Sequence, residues 1–389
     1  MSTQSSAQSA GVPLVLHVIP TARARGAQRE ARALVDQLDA PGVRSHRLLT
    51  IFDGPSEVET DLSLGVDGGD SPAEGYDLRV VRTLRSALKR LDPVLVVAHG
   101  GDPLKYLVAA MFGTRRPLAY YAIGTFAGPR DRRLRIWSWR LLLRRVGTVA
   151  AEGDEVLAEC VDLLGVPAAR ITMTPNGRDP EEFRPGEPTD SPHEPVIMFV
   201  GAFTEGKRPD RFIKVIAALR LQGITFRARM AGDGPLRAGL EEPARRADVE
   251  LLGSRSDVAE LLRGSDLLVF PSLPTGEGMP GVLVEAGLSG LPVVATDVPG
   301  VRTVVENGVT GIVVEVADVD AMVRAVAELV GDDELRRTMG GAARRRCLER
   351  FGLAAVAERW LDLLSPLLPA SARPDTTVPG TGPGPGPGR

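Results

Sequence analysis

Short apolar runs alternate with amphipathic stretches along this chain, and the alternation is played through twice. The first round holds LVLHVI (14–19), a helix-like segment through Leu38, VLVVAH (94–99) and a helix near 104–112. The second holds VIMFVGAF (196–203), a helix over about 209–221, FRARMAG (226–232), LLVFPS (267–272), a helix from about 280 to 289 and LPVVAT (291–296). Runs this short and continuous read as strands buried on both faces, and their alternation with helices makes parallel sheets. The expected fold is α/β, with two Rossmann-like doubly wound domains facing a central crevice.

A length of 389 residues fits two domains. Residues 12–179 form the first. A proline-rich segment over 180–195, with Pro185, Pro188 and Pro192, is the expected linker, and residues 196–350 form the second. The stretch 351–368 predicts an amphipathic helix with Val356, Trp360 and Leu364 on its apolar face, covering a core or latching the halves by packing back on the first. Residues 1–11 are small and polar, and 369–389 end in alternating glycine and proline, so disorder is expected at both ends.

Composition excludes several classes. An apolar content of 43% allows a large core, while a net charge of −3 provides no field to hold a polyanion, so nucleic acid is not an expected partner. The two cysteines, Cys160 and Cys347, are too few for a disulfide scaffold or a thiolate metal site and read as buried apolar residues in a reducing cytoplasm. No apolar run reaches the length of a spanning helix, and no signal-peptide pattern opens the chain. Basic charge is almost wholly arginine; lysine occurs only at 89, 105, 207 and 214.

Candidate chemistry follows the strands, where helix N-termini offer backbone N–H groups to phosphate. After the first strand comes ARARGAQRE (22–30), in which Gly26 would let the backbone approach an anion; a plain turn would look the same. VGAFTEGKRPD (200–210) places Gly201, Lys207 and Arg208 after the first strand of the second domain, with Lys207 suited to neutralising a leaving diphosphate. AGDGPLR (231–237) is a turn bounded by Gly232 and Gly234. In PSLPTGEGMPGVLVEAG (271–287), Glu277 lies in a glycine-flanked loop and Glu285 eight residues on. The N–H groups of Gly278, Met279 and Gly281 suit a diphosphate; Pro280 has none. One carboxylate can face a sugar and the other accept from ribose hydroxyls.

This loop resembles the E-x7-E element of the retaining family-4 glycosyltransferases (glycosyl transferases group 1), whose fold is GT-B. TPNGRDPEEFRP (174–185) is similar to the family's interdomain N-G-x-D-x-x-x-F-x-P stretch, and GSRSDVAELLRGSDLLVFPS (253–272) and VPGVRTVVENGVTGIVV (298–314) extend the likeness over most of 12–368. The resemblance implies a hexosyl transfer from a nucleoside-diphosphate sugar, without metal, to a small-molecule, lipid or glycan acceptor held mostly by the first domain. It implies that Lys207 stabilises the leaving diphosphate, Glu277 binds the sugar, Glu285 holds the ribose and Gly26 approaches phosphate or acceptor, with Asn176 and Gly177 near the hinge. It also implies front-face displacement, the leaving phosphate helping to deprotonate the acceptor.

The chain departs from that pattern twice. Ala202 stands where the family carries an arginine, with Arg208 the nearest substitute, and Ile123 stands where aligning PLAYYAIGT (117–125) puts the family's sugar-contacting histidine. An isoleucine there suits a donor lacking a 6-hydroxyl, such as a 6-deoxy sugar. His99, at the end of a neighbouring strand, is the histidine best placed to face the crevice, as a catalytic group or as a structural strand-end residue.

The one Asp-x-Asp, Asp318 and Asp320, reads as a helix cap rather than a metal site. Residues 129–146 mix seven arginines with Trp137 and Trp139, which suits either a solvated basic face on a packed helix or peripheral contact with an anionic membrane. The rival readings are a donor-binding pseudoenzyme or partner subunit, motivated by Ala202 and Ile123, and a nucleotide-sugar epimerase or hydrolase.

Overall fold

The computed structural model describes residues 12–22, 26–40, 43–54, 56–67, 77–124, 126, 132–187, 194–274 and 279–373. The first domain runs β1 (Leu14–Ile19), α1 (Gly26–Leu38), β2 (Ser45–Phe52), β3 (Leu62–Val66), α2 (Leu78–Leu91), β4 (Leu95–His99), α3 (Gly101–Ala110), β5 (Leu118–Ala122), α4 (Arg132–Leu143), β6 (Thr148–Ala151), α5 (Asp154–Ala158) and β7 (Ile171–Met173). The second runs β8 (Val196–Val200), α6 (Pro209–Leu221), β9 (Arg227–Ala231), α7 (Arg237–Arg246), β10 (Val249–Gly253), α8 (Val258–Arg263), β11 (Leu267–Phe270), α9 (Gly281–Leu288), β12 (Val293–Thr296), α10 (Val301–Val304) and β13 (Gly311–Val314). Helices α11 (Val319–Gly331), α12 (Asp333–Phe351) and α13 (Leu353–Leu364) follow.

Both sheets are parallel throughout and share one plan. Their orders are β3-β2-β1-β4-β5-β6-β7 and β10-β9-β8-β11-β12-β13, the doubly wound arrangement. The central pairs β1–β4 (Val15 opposite Leu95) and β8–β11 (Ile197 opposite Leu267) flank the points where strand order reverses. Such points leave a crevice beyond the strand C-termini, between helices that depart to opposite faces. Burial on both faces explains why VIMFV and LLVF lack polar alternation. Pro209 opens α6 at its first turn, where its missing N–H costs nothing, and Asp318 caps α11 by accepting from Ala321 N at 2.7 Å, which is the capping role read for it.

The chain passes between the halves at Asn176–Asp179, ahead of the proline-rich segment. Phe183 already belongs to the core of the second domain, and Gly186 lies against the carbonyl of Arg263. A second crossing at Gly352 returns the chain, and the two crossings are bonded to each other: Arg178 N donates to Phe351 O and Leu353 N to Arg178 O, both at 2.9 Å. Helix α13 then packs on the sheet of the first domain, where Val356, Trp360 and Leu364 are buried with Val15, Leu95, Val97, Ala119 and Ala150. The ordered fold continues past residue 369: a turn at Ala370–Ala372 buries Ala372 completely. Both cysteines are buried and unpaired in a disulfide.

Candidate active site

The rim of the second domain is built by the loops after β8 and β11. Leu273 N donates to Gly206 O at 2.7 Å, which zips the two loops together, and Thr296 Oγ1 on β12 donates to Ser272 O at 2.6 Å. Lys207 lies on this rim with its Nζ 5.2 Å from the centre of the Phe270 ring, at the end of β11. Gly281 is the first residue of α9, the helix that follows the β11 loop, and lies against Arg178. Met279 is buried in the second domain's core, and its Cβ lies near Gly153 of the opposite domain. Glu277 and Gly278 lie outside the described residues.

Other candidates have structural explanations. Gly232 and Gly234 serve backbone packing: a β-carbon at Gly232 would fall 1.9 Å from Gly201 O, and one at Gly234 would fall 2.7 Å from Phe203 O. They let the β9–α7 turn close on the β8–α6 loop, so their glycine character is not evidence of a ligand. Arg208 is gripped by Asp210, through Nε and Nη2 at 2.8 Å each, so its charge is already matched. Arg211, which sequence reasoning passed over, is buried and donates to Pro271 O at 3.4 Å, beneath the β11–α9 loop. Gly26 begins α1 at the C-terminal end of β1.

His99 is corrected by the structure. Its ring is buried, stacked on Trp360 of α13 with centroids 6.0 Å apart, and edge-on to Tyr121. Its Nε2 meets His17 Nδ1 at 2.9 Å, and His17 Nε2 meets His46 Nδ1 at 2.9 Å, forming a row of three imidazoles across β4, β1 and β2. Burial pushes the His99 and His46 pKa values down to about 3, so both are neutral, and His17 is lowered too. A neutral ring stacked on Trp360 is part of the core, and it lines a small cavity with Glu30, Tyr121 and Asn176. Ile123, just beyond β5, is half-buried and packs with the same α13 cluster.

The floor between the domains is polar. Arg178, at the crossing, pairs through Nη1 with Glu30 Oε1 of α1 at 2.6 Å and through Nε with Glu285 Oε1 of α9 at 2.8 Å. Burial alone would lower the guanidinium's hold on its proton, but the two carboxylates reverse this and raise its pKa. Burial raises that of Glu30 despite Arg178. Beside them, Glu152 accepts from Asn176 Nδ2 at 2.6 Å and Gly124 N at 3.0 Å, and Tyr121 donates to Asn176 Oδ1. Burial, followed by these bonds and the nearby Glu30 charge, sets Glu152 at about 7. The domains also meet where Thr303 Oγ1 of α10 donates to Asp154 Oδ2 of α5 at 3.0 Å.

Of the residues singled out from sequence, Glu285 and Gly281 meet Arg178 at the crossing, beside Asn176 and Gly177, and Lys207 lies against Phe270 at the end of β11, the strand that precedes α9. Glu30, Arg178 and Glu152 were missed. Only the charge of Arg178 within the N-G-x-D stretch gave a local signal.

Comparison with known proteins agrees with this architecture. Residues 24–182 match the family description Glycosyltransferase Family 4, and residues 194–332 match Glycosyl transferases group 1. EpsF of Bacillus subtilis is 31% identical over 304 residues, covering 73% of this chain and 79% of that protein. A D-inositol 3-phosphate glycosyltransferase of Nocardia farcinica is 32% identical over 49% of this chain and 48% of its own length. The crystal structure of Anabaena HepE in complex with UDP superposes with a TM-score of 0.73 at 19% identity, covering 91% of this chain and all of that one. The chain belongs to the family-4 glycosyltransferases, with their GT-B fold.

Proposed function

We propose that the protein transfers a hexosyl unit from a nucleoside-diphosphate sugar to a small-molecule, lipid or glycan acceptor, with retention at the anomeric carbon. The bond from that carbon to the diphosphate breaks, a bond to an acceptor oxygen forms on the same face, and the acceptor proton passes to the leaving phosphate. No metal ion takes part in this scheme. Lys207 and the N-terminus of α9 take the charge of the leaving diphosphate, Glu277 holds the sugar and Glu285 the ribose. The observation that supports this reading is that Lys207 lies against Phe270 at the end of β11 and that Gly281 and Glu285 belong to the helix following that strand, at the β8–β11 switch point, where doubly wound folds hold nucleotides. HepE, whose structure is known in complex with UDP-glucose, supports a nucleotide-sugar donor. Ile123 in the family's histidine position favours a donor without a 6-hydroxyl.

A thermal-shift panel of nucleoside diphosphates, with and without EDTA, tests this on the wild type and on Glu285→Ala. The expected result is stabilisation by one diphosphate, insensitive to chelator and lost in the variant. No shift with any diphosphate would sink the reading.

A peripheral membrane contact is supported by α4. Its inner face, with Ile136 and Trp139, packs on the core, while Leu134, Trp137 and Leu141 share the outer face at 74%, 65% and 50% exposure beside exposed Arg133, Arg140 and Arg144. Apolar residues rimmed by arginines suit an anionic bilayer surface. Among the described residues, no helix is long and apolar enough to cross a membrane. We place the protein in the cytoplasm, in contact with the bilayer. Co-sedimentation with phosphatidylglycerol vesicles, lost in Trp137→Ala and absent with phosphatidylcholine, is the expected outcome; equal binding by wild type and variant refutes the contact.

A further inference from the structure

Arg178 stands where the chain crosses between the halves, and its side chain reaches both. Its backbone is held on each side by the second crossing, through the bonds to Phe351 and Leu353, and a β-carbon at Gly177 would already press on Leu353 at 3.0 Å. The Cα therefore has little freedom. From this anchor one guanidinium takes a carboxylate from each domain, Glu30 at 2.6 Å and Glu285 at 2.8 Å, with all three side chains only 12–17% exposed. Its third nitrogen lies against the first residue of α9: a β-carbon on Gly281 would be 2.1 Å from Nη2. With the guanidinium clasped on two sides, that space is open only because residue 281 is glycine.

Two consequences follow from this geometry. Arg178 engages one oxygen of Glu285 and thereby fixes the carboxylate's orientation, leaving Oε2 as the oxygen to meet a ligand. Glu30 is an independent lever on the same group, since its Oε2 is buried with no hydrogen-bond partner among the described residues and its Oε1 is held by Arg178. Removing the guanidinium would leave two half-buried carboxylates facing each other, and they would separate.

We infer that Arg178 is a positioning residue for the donor: it sets Glu285 for the nucleotide of a nucleoside-diphosphate sugar and, through Glu30, links nucleotide binding to the seating of the opposite domain. This rests on the donor role proposed for Glu285. It gives an arginine at the interdomain crossing a part in substrate binding without contact with the substrate.

Calorimetric titration of UDP, GDP and dTDP into the full-length wild type, Glu285→Ala, Arg178→Met, Arg178→Lys, Gly281→Ala, Glu30→Gln and the double variant Glu30→Gln with Arg178→Met tests the inference. For the diphosphate that binds the wild type, Arg178→Met is expected to weaken binding about tenfold to a hundredfold, the range of one charged hydrogen bond. Donor KM in a donor-hydrolysis assay should rise in parallel, with kcat within about threefold of wild type. Arg178→Lys should recover part of the loss. Gly281→Ala keeps its N–H but displaces the guanidinium, and should track Arg178→Met; it carries the test where Arg178→Met does not fold. Glu30→Gln should weaken binding severalfold in the wild type and have no further effect beside Arg178→Met.

If Glu285→Ala abolishes binding while Arg178→Met and Gly281→Ala bind as wild type, the positioning role is overturned and the donor reading stands. An additive Glu30→Gln effect would overturn the link between domains. If Glu285→Ala binds as wild type, the donor role of Glu285 falls, and the inference falls with it.

Discussion

The two sheets share one strand order, yet the ends of their central strands are finished differently. Beyond β8 and β11, the second domain carries Lys207, two loops zipped at Gly206–Leu273 and the N-terminus of α9. At the corresponding pair in the first domain, β1 and β4, the strands carry His17 and His99 into a neutral imidazole row closed by Trp360. Topology alone therefore creates two equivalent crevice walls. Which one offers charge to a ligand is decided by loop residues and by α13, which follows the second domain in the chain and returns to the first sheet from the Gly352 crossing. Across a doubly wound pair, a polar residue at a strand end is informative only when it is known what covers it.

The comparison breaks most visibly if the first domain's closed end is opened. Trp360→Ala removes a side chain that is 1% exposed and is expected to cost about 3–5 kcal/mol of stability, measured by denaturant unfolding. A loss below about 1 kcal/mol would mean that α13 is not what seals that end. Lys207→Ala should leave the fold intact and lower kcat by about a hundredfold, the scale of losing one group that stabilises developing charge, read from single-turnover transfer. Unchanged turnover would remove the functional distinction between the two walls.

Glu152 sharpens the contrast through pH. Its folded-state pKa of about 7 lies above the unfolded value near 4.5, so the folded protein binds the extra proton in between. Its contribution is fully present below about pH 4.5 and is lost as pH rises through 7, at most about 3 kcal/mol in all. The lowered histidines act in the opposite sense, gaining stability as pH rises from about 3 to 6.5. The wild type minus Glu152→Gln difference therefore isolates the carboxylate, and it should fall between pH 5 and 8; a flat difference would place Glu152 in a wetter setting. The smallest effect on chemistry is expected for His99→Asn, which should lower Tm but keep kcat per folded molecule within about twofold. A large loss of kcat would return the first domain's strand ends to the reaction.

Much of this was legible in the residues. The span of α6 is marked by Pro209 and by the end of its apolar pattern, and VIMFV and LLVF can be little else than strands of a buried parallel sheet. Lys207 stands out because it follows a strand end in a chain poor in lysine. Three other features were not readable. His99 looks the same in sequence whether it faces a crevice or a tryptophan 261 residues away. Gly232 and Gly234 suggest room for a ligand until Gly201 O and Phe203 O are seen to occupy it. The Glu30–Arg178–Glu285 group joins three distant segments, and only Glu285 has a spacing that marks it; nothing in the sequence joins Glu30 or Arg178 to it.

Helix α13 also bears on how the molecule comes into being. The first sheet is spelled out by residue 173, but the tryptophan and leucines that shield one of its faces are made only after the whole second domain. On the ribosome, Val15, Leu95, Val97 and Ala119 must wait with that face uncovered while nearly two hundred residues are added, about ten to forty seconds at ordinary elongation rates. The first half to be synthesised is thus the last to be finished, and during that interval it is the part of the chain most in need of a chaperone.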